Sequence, residues 1–257
     1  MTRLSLTRAW EESADFLKRE GGTLYLIAFA LMALPGAAWQ FFAPPPTPGE
    51  AGSPVMALLV FPVLLLTMLG SLSITLLALG RENVVGASLA LAARRLWPLL
   101  GAVLIAGLAA GLVAAPVFLF VTTHWVSARG LSLLLACLLL ALLLVLWVKL
   151  LMATPVAAAE RAGPIAILMR SWRLTAGHFA TLLGFVGLVF VVLIVLGMAV
   201  GAVGGTLVVL LLGMPEPGSL SRLVILLMSG LLNAAFAVAF TVMVARLYAQ
   251  LAGDASP

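Results

Sequence analysis

Five ionisable side chains fall within 25 residues of a largely apolar chain: Lys149, Glu160, Arg161, Arg170 and Arg173. Lys149 follows a leucine-rich run. A charge there marks a pathway or a buried ion pair, unless it lies near a helix end and its head snorkels to the lipid headgroups. Counting about 20 helical residues from Leu131 puts the inner membrane boundary near Leu150. Snorkelling is therefore the favoured reading of Lys149, with lipid-phosphate binding or pairing with Glu160 as the alternatives. Glu160 and Arg161 precede Gly163-Pro164, where one helix ends and another starts with proline in its first turn, so a hinge is the plainer reading. The sharper one makes Lys149, Glu160, Arg170 and Arg173 a polar cluster that holds an anionic lipid head or a partner protein at the inner surface. Ser171, Thr175 and His178 share a helical face and would extend it.

Catalysis requires an acid, base or nucleophile within hydrogen-bond reach of another, and the inventory is poor. His124 and His178 fall on opposite membrane faces, no acidic pair sits at one depth, and no G-x-S-x-G, H-E-x-x-H or phosphate-loop pattern occurs. No catalytic, cofactor or metal site is expected. Cys137, the single cysteine, lies in an apolar run and reads as a small buried apolar residue. Asn233, with Ser229 and Thr241, is expected to hydrogen-bond between helices. Gly107 and Gly111, and Gly197, Gly201 and Gly205, have the spacing that lets helices approach closely, with subunit association as the weaker alternative.

The elements that must position these residues follow from composition. Of 257 residues, 64% are hydrophobic and 9% charged, which excludes a water-soluble fold. The apolar runs are continuous rather than alternating, so helices and not a barrel satisfy the backbone in lipid. The net charge of +5 comes from Lys and Arg scattered beside apolar segments, which fits membrane topology and not nucleic acid. Glu11, Glu12, Asp15 and Glu20 among the first basic residues argue against a cleaved leader.

The fold expected is an all-α membrane protein of six transmembrane helices, a single polytopic domain over 1–257. The spans are placed at Gly22–Ala43, Pro54–Gly80, Pro98–Val121, Leu131–Ala157, Ala180–Val203 and Leu223–Leu247. The proline-rich segment 44–53 reads as a short exposed loop, and another short loop joins the third and fourth spans as a hairpin. The apolar run Ala180–Gly213 would be about 50 Å long as one helix. Gly204-Gly205 is expected to break it, leaving TLVVLLLG as an interfacial or re-entrant piece. Eleven basic residues, from Arg3 to Arg246, flank one side, and only Arg129 and Arg222 the other, so both termini are expected in the cytoplasm.

Short amphipathic interfacial helices are expected before the odd-numbered spans, on the faces Leu6/Trp10/Leu17, Leu89/Leu96 and Ile165/Leu168/Trp172/Phe179. Together with RRLWPLLG at 94–101 and RLTAGHFATLLG at 173–184, they suggest three hairpin repeats of about 1–80, 81–160 and 161–257.

The string VKLLMATPVAAAERAGPIAILMRSWRLTAGHFATLLG, residues 148–184, resembles the membrane domain found beside some bacterial glycerophosphoryl diester phosphodiesterases and in stand-alone inner-membrane relatives. Lys149, Pro155, Glu160, Gly163-Pro164, the stretch RSWRLTAGHF and the ending ARLYAQL carry the likeness. The resemblance implies a bacterial inner-membrane protein but no phosphodiesterase activity, since the hydrolase of such proteins is a separate soluble barrel for which this chain has no room. The function expected is non-enzymatic: binding of membrane lipid, anionic in character, or of a protein partner or second copy at the cytoplasmic face, as an accessory to envelope lipid handling or export. The alternatives are a transporter of a small or amphipathic molecule and, least favoured, a lipid-modifying enzyme.

Overall fold

A computed structural model describes residues 5–42, 54–124 and 128–253, all in helices and short connections among these residues. Ala43, the expected loop 44–53 and residues 125–127 of the expected hairpin turn lie outside the described residues, as does Arg3. In chain order the helices are α1 (Leu6–Ala28), α2 (Leu34–Phe42), α3 (Pro54–Ala78), α4 (Val85–His124), α5 (Arg129–Leu150), α6 (Ala153–Ala159), α7 (Pro164–Ala176), α8 (Phe179–Leu212) and α9 (Leu220–Gly253). Six helices among the described residues are long and apolar enough to cross a membrane, and the fold is an all-α membrane fold.

The first span is one continuous run, Leu6–Phe42, in which a single π-helical turn, Phe29–Ala33, joins α1 to α2. Pro35 supplies the cause. It lacks an N–H and its ring crowds the carbonyl one turn back, so the wider turn ahead of it absorbs the mismatch, and the N–H of Leu34 bonds back to Phe29 O. The first two amphipathic segments run uninterrupted into their spans, while the third, α7, is a separate helix. Each exposes a tryptophan, Trp10, Trp97 and Trp172 respectively, a residue that favours the headgroup level.

Two expected boundaries are corrected. The fourth span does not run as one helix to Ala157: α5 stops at Leu150, and α6 starts at Ala153. Pro155 explains the stop, because it cannot donate to the carbonyl of Leu151 and would press its ring against it. Nor does the fifth span break at Gly204-Gly205. α8 continues to Leu212 and ends at Gly213, whose φ of +86° suits glycine. An interior glycine costs about 1 kcal/mol against alanine, whereas each backbone group left unpaired in lipid costs several kcal/mol, so the helix persists. Gly204 has a packing role instead, since a Cβ built there would lie 2.5 Å from Cε of Met228 on α9.

Burial is concentrated at one end of the bundle. Leu72, Leu76, Ala92, Leu99, Met152, Val156, Ile167, Leu182 and Leu247 form one core there. Large side chains farther along α4, α5 and α8, such as Leu112, Leu140 and Leu196, are exposed, which in hydrocarbon carries no hydrophobic cost. The start of α1 and the end of α9 meet at the packed end, where the N–H of Ser5 donates to Oε1 of Gln250 at 3.2 Å. At the opposite end Arg222 Nη2 donates to Gln40 O at 2.7 Å, capping α2.

Candidate functional site

The break between α5 and α7 folds the charged stretch back on the packed end of the bundle. Lys149 lies in the last turn of α5, and its carbonyl accepts a hydrogen bond of 2.7 Å from Ser171 Oγ on α7. Its ammonium stands 5.2 Å from the ring centre of Trp172 and 5.6 Å from that of Phe179. Two aromatic faces thus hold the charge at the helix end. Pairing of Lys149 with Glu160, one of the alternatives, is not what the structure contains.

Glu160 is held from two other directions. Arg170 Nε donates to its Oε1 at 3.2 Å, and Tyr248 Oη, from α9, donates to the same oxygen at 3.0 Å. Beneath it, Arg95 of α4 donates from one nitrogen, Nη1, to Ala157 O at 3.0 Å and Glu160 O at 2.8 Å. These carbonyls close α6, where the helix leaves acceptors unpaired, so Arg95 is a cap fixing the hinge against α4. Arg161 and Arg81 also act on the Arg95 guanidinium by charge repulsion, and Arg81 acts on Tyr248. Arg81, Arg95, Arg161 and Arg170 thus gather about the hinge, where Arg170 alone pairs with the Glu160 carboxylate and Arg95 bonds to the Glu160 backbone carbonyl. Arg173 is exposed and has no hydrogen bond or ion pair among the described residues.

The structure thus joins Glu160 to Arg170 and places Lys149 against the same helix, while Arg173 stands apart in solvent or headgroups. Ser171 and Thr175 do not extend the cluster. Both are fully buried, and Thr175 Oγ1 bonds to its own helix at Ser171 O. His178 is the residue before α8, with no side-chain cap bond. Arg95 and Tyr248 are participants that the stretch 149–173 does not contain. The one available signal was the recurrence of arginine just before tryptophan, in RRLW and RSW, which makes Arg95 and Arg170 counterparts.

Other expected contacts are corrected. Ser229 and Asn233 are exposed, and neither they nor Thr241 make side-chain hydrogen bonds among the described residues; the polar contact from α1 to α9 is Tyr25 Oη to Leu231 O at 3.1 Å. Gly107, Gly111, Gly197, Gly201 and Gly205 have open space where a Cβ would be, so they do not mediate close packing within the chain. The close approaches are at Gly70, Gly101, Gly204 and Gly230. Cys137 is exposed on α5 rather than buried.

Long apolar helices, packed at one end around a basic cluster, define a polytopic α-helical membrane protein. A family model described as "Domain of unknown function (DUF7847)" matches residues 8–251, and the chain belongs to that family. No curated protein and no solved structure matches it.

Proposed function

We propose that this protein binds the head of an anionic phospholipid at the cytoplasmic face of a bacterial inner membrane, as a non-enzymatic accessory to envelope lipid handling or export. The observation that carries the reading is the gathering of basic side chains at the hinge, where Arg95 caps α6 and Arg170 pairs with Glu160, together with the unpartnered Arg173 on α7. A basic surface at the headgroup level attracts an anionic leaflet, and arginine matches phosphate with paired donors. The excess of basic residues at this end, where the start of α1 meets the end of α9, supports a cytoplasmic placement. Residues 148–184 add their resemblance to the membrane domains beside glycerophosphoryl diester phosphodiesterases. The transporter alternative rested in part on a broken fifth span, and α8 is continuous.

The test is native mass spectrometry of the protein extracted gently from its own membrane, comparing the native chain with the double variant Arg170→Gln/Arg173→Gln. Retained anionic lipid should fall about tenfold, the effect of roughly 1 kcal/mol per basic side chain near the surface, reduced by the pairing of Arg170 with Glu160. Insertion and yield should not change. Equal retention of anionic lipid by the variant sinks the proposal, and a stoichiometric co-purifying protein or second copy in place of lipid would make the cluster a protein-docking site.

A further inference from the structure

Resting on that reading, we infer that the seam between α4 and α5 holds an acyl chain of the lipid whose head the basic cluster binds. An open cavity of about 360 Å³ lies beside the cluster, lined by Leu99, Gly107, Leu146, Leu150, Thr154 and Leu168 among others. It falls within the range of roughly 300–1,000 Å³ usual for small-molecule sites. Its inner mouth is built from the same elements as the cluster. Leu150 follows Lys149, Leu168 lies one turn before the tryptophan that holds the Lys149 ammonium, and Leu99 lies one turn after Arg95. A head seated on the arginines therefore delivers its chains to this opening.

The seam also has the length of a chain. A second cavity of about 210 Å³ lies farther along the same two helices, lined by Phe118, Leu139 and Leu140 among others, and shares Leu143 with the first. One leaflet's hydrocarbon is about 15 Å deep, half of a core of about 30 Å, which is about ten helical residues at 1.5 Å each. Ten residues from Leu150 reach Leu140, inside the second chamber. The lining is apolar except for two groups near the inner end. Thr154 and Trp147 line the inner part of the cavity, and neither side chain makes a hydrogen bond among the described residues, so each has a donor to offer an ester carbonyl below the head. Gly107 and Ala110 keep the α4 wall low, and a Cβ at Gly107 would meet nothing. An anionic headgroup is complementary to the charged mouth, which favours a phospholipid over an apolar helix of a partner as the occupant.

The experiment uses the full chain in nanodiscs of phosphatidylcholine doped with phosphatidylglycerol that carries a photoreactive diazirine in one acyl chain, with crosslinks mapped by peptide mass spectrometry. Labelling of residues 99–110 and 139–150 should exceed that of the exposed ridge 188–198 of α8 by about fivefold, and Gly107→Trp, which fills the groove, should remove the excess. Ala110→Phe serves the same purpose should the tryptophan variant fail to fold, and Gly107→Ala should label as the native chain does. Even labelling of both faces, or an excess untouched by groove filling, overturns the groove; if phosphatidylglycerol is still retained over phosphatidylcholine in a manner dependent on Arg170 and Arg173, the headgroup reading survives alone. Loss of that lipid preference in the native chain overturns both.

Discussion

Glu160 holds the cluster together and also opposes its proposed use. Its carboxylate ties α7 through Arg170 and α9 through Tyr248, and it neutralises part of the charge that would attract a phosphate. Two substitutions separate these roles. Tyr248→Phe removes one donor to a charged acceptor that is about one-third exposed, so stability should drop by about 1 kcal/mol with lipid retention unchanged. Glu160→Gln keeps an acceptor for the tyrosine but raises the local surplus of charge, so retention of anionic lipid should rise several-fold while the denaturation midpoint in detergent falls. If both variants change lipid retention in the same direction, Glu160 is not the counter-ion to the proposed site. Lys149, Glu160 and Arg170 were legible because they lie close in sequence and stand out against leucine. Arg95 and Tyr248 were not, because they reach Glu160 across 65 and 88 residues of chain, a distance that only the packing of α4 and α9 removes.

At the scale of elements, glycine spacing and glycine packing part company. The spaced glycines of α4 and α8 look like packing motifs and face open space, whereas Gly101 and Gly204, which belong to no such motif, receive a neighbour. Spacing reports which residues share a face of one helix, not whether another helix arrives there. The same reasoning explains α8, where a weak propensity against helix was outweighed by the need to pair every backbone group in lipid. Both close approaches are testable by adding one methyl group. A Cβ at Gly101 would lie 2.9 Å from Cγ of Pro164, a rigid ring at the start of α7. Gly101→Ala should therefore cost about 1–3 kcal/mol, as overpacking does, and should loosen α7 and weaken lipid retention with it. At Gly204 the obstacle is the flexible end of Met228, which can turn away, so Gly204→Ala should cost under about 1 kcal/mol. Thermal denaturation of the two variants in one detergent checks the order, and a larger loss at Gly204 would mean that α8 and α9, not α4 and α7, form the rigid contact.

For the whole molecule, the span count follows from composition, because runs this apolar and this long have few other solutions. The uneven packing does not follow from it: a leucine facing lipid and a leucine facing a helix are the same letter, and in hydrocarbon neither position is penalised. Concentrating the core at the basic end makes that end the rigid part, where the hinge, the cluster and the mouth of the α4–α5 seam are all held. Its use depends on which side of the membrane it faces. The short connection between α8 and α9, with exposed Glu216, lies at the end opposite the connection between α3 and α4, with exposed Asn83. With Cys137 replaced by alanine, Glu216→Cys should react with a membrane-impermeant maleimide in intact cells, and Asn83→Cys only after permeabilisation. The reverse pattern would turn the basic cluster away from the anionic cytoplasmic leaflet, and a lipid-binding role at that face would fall with it.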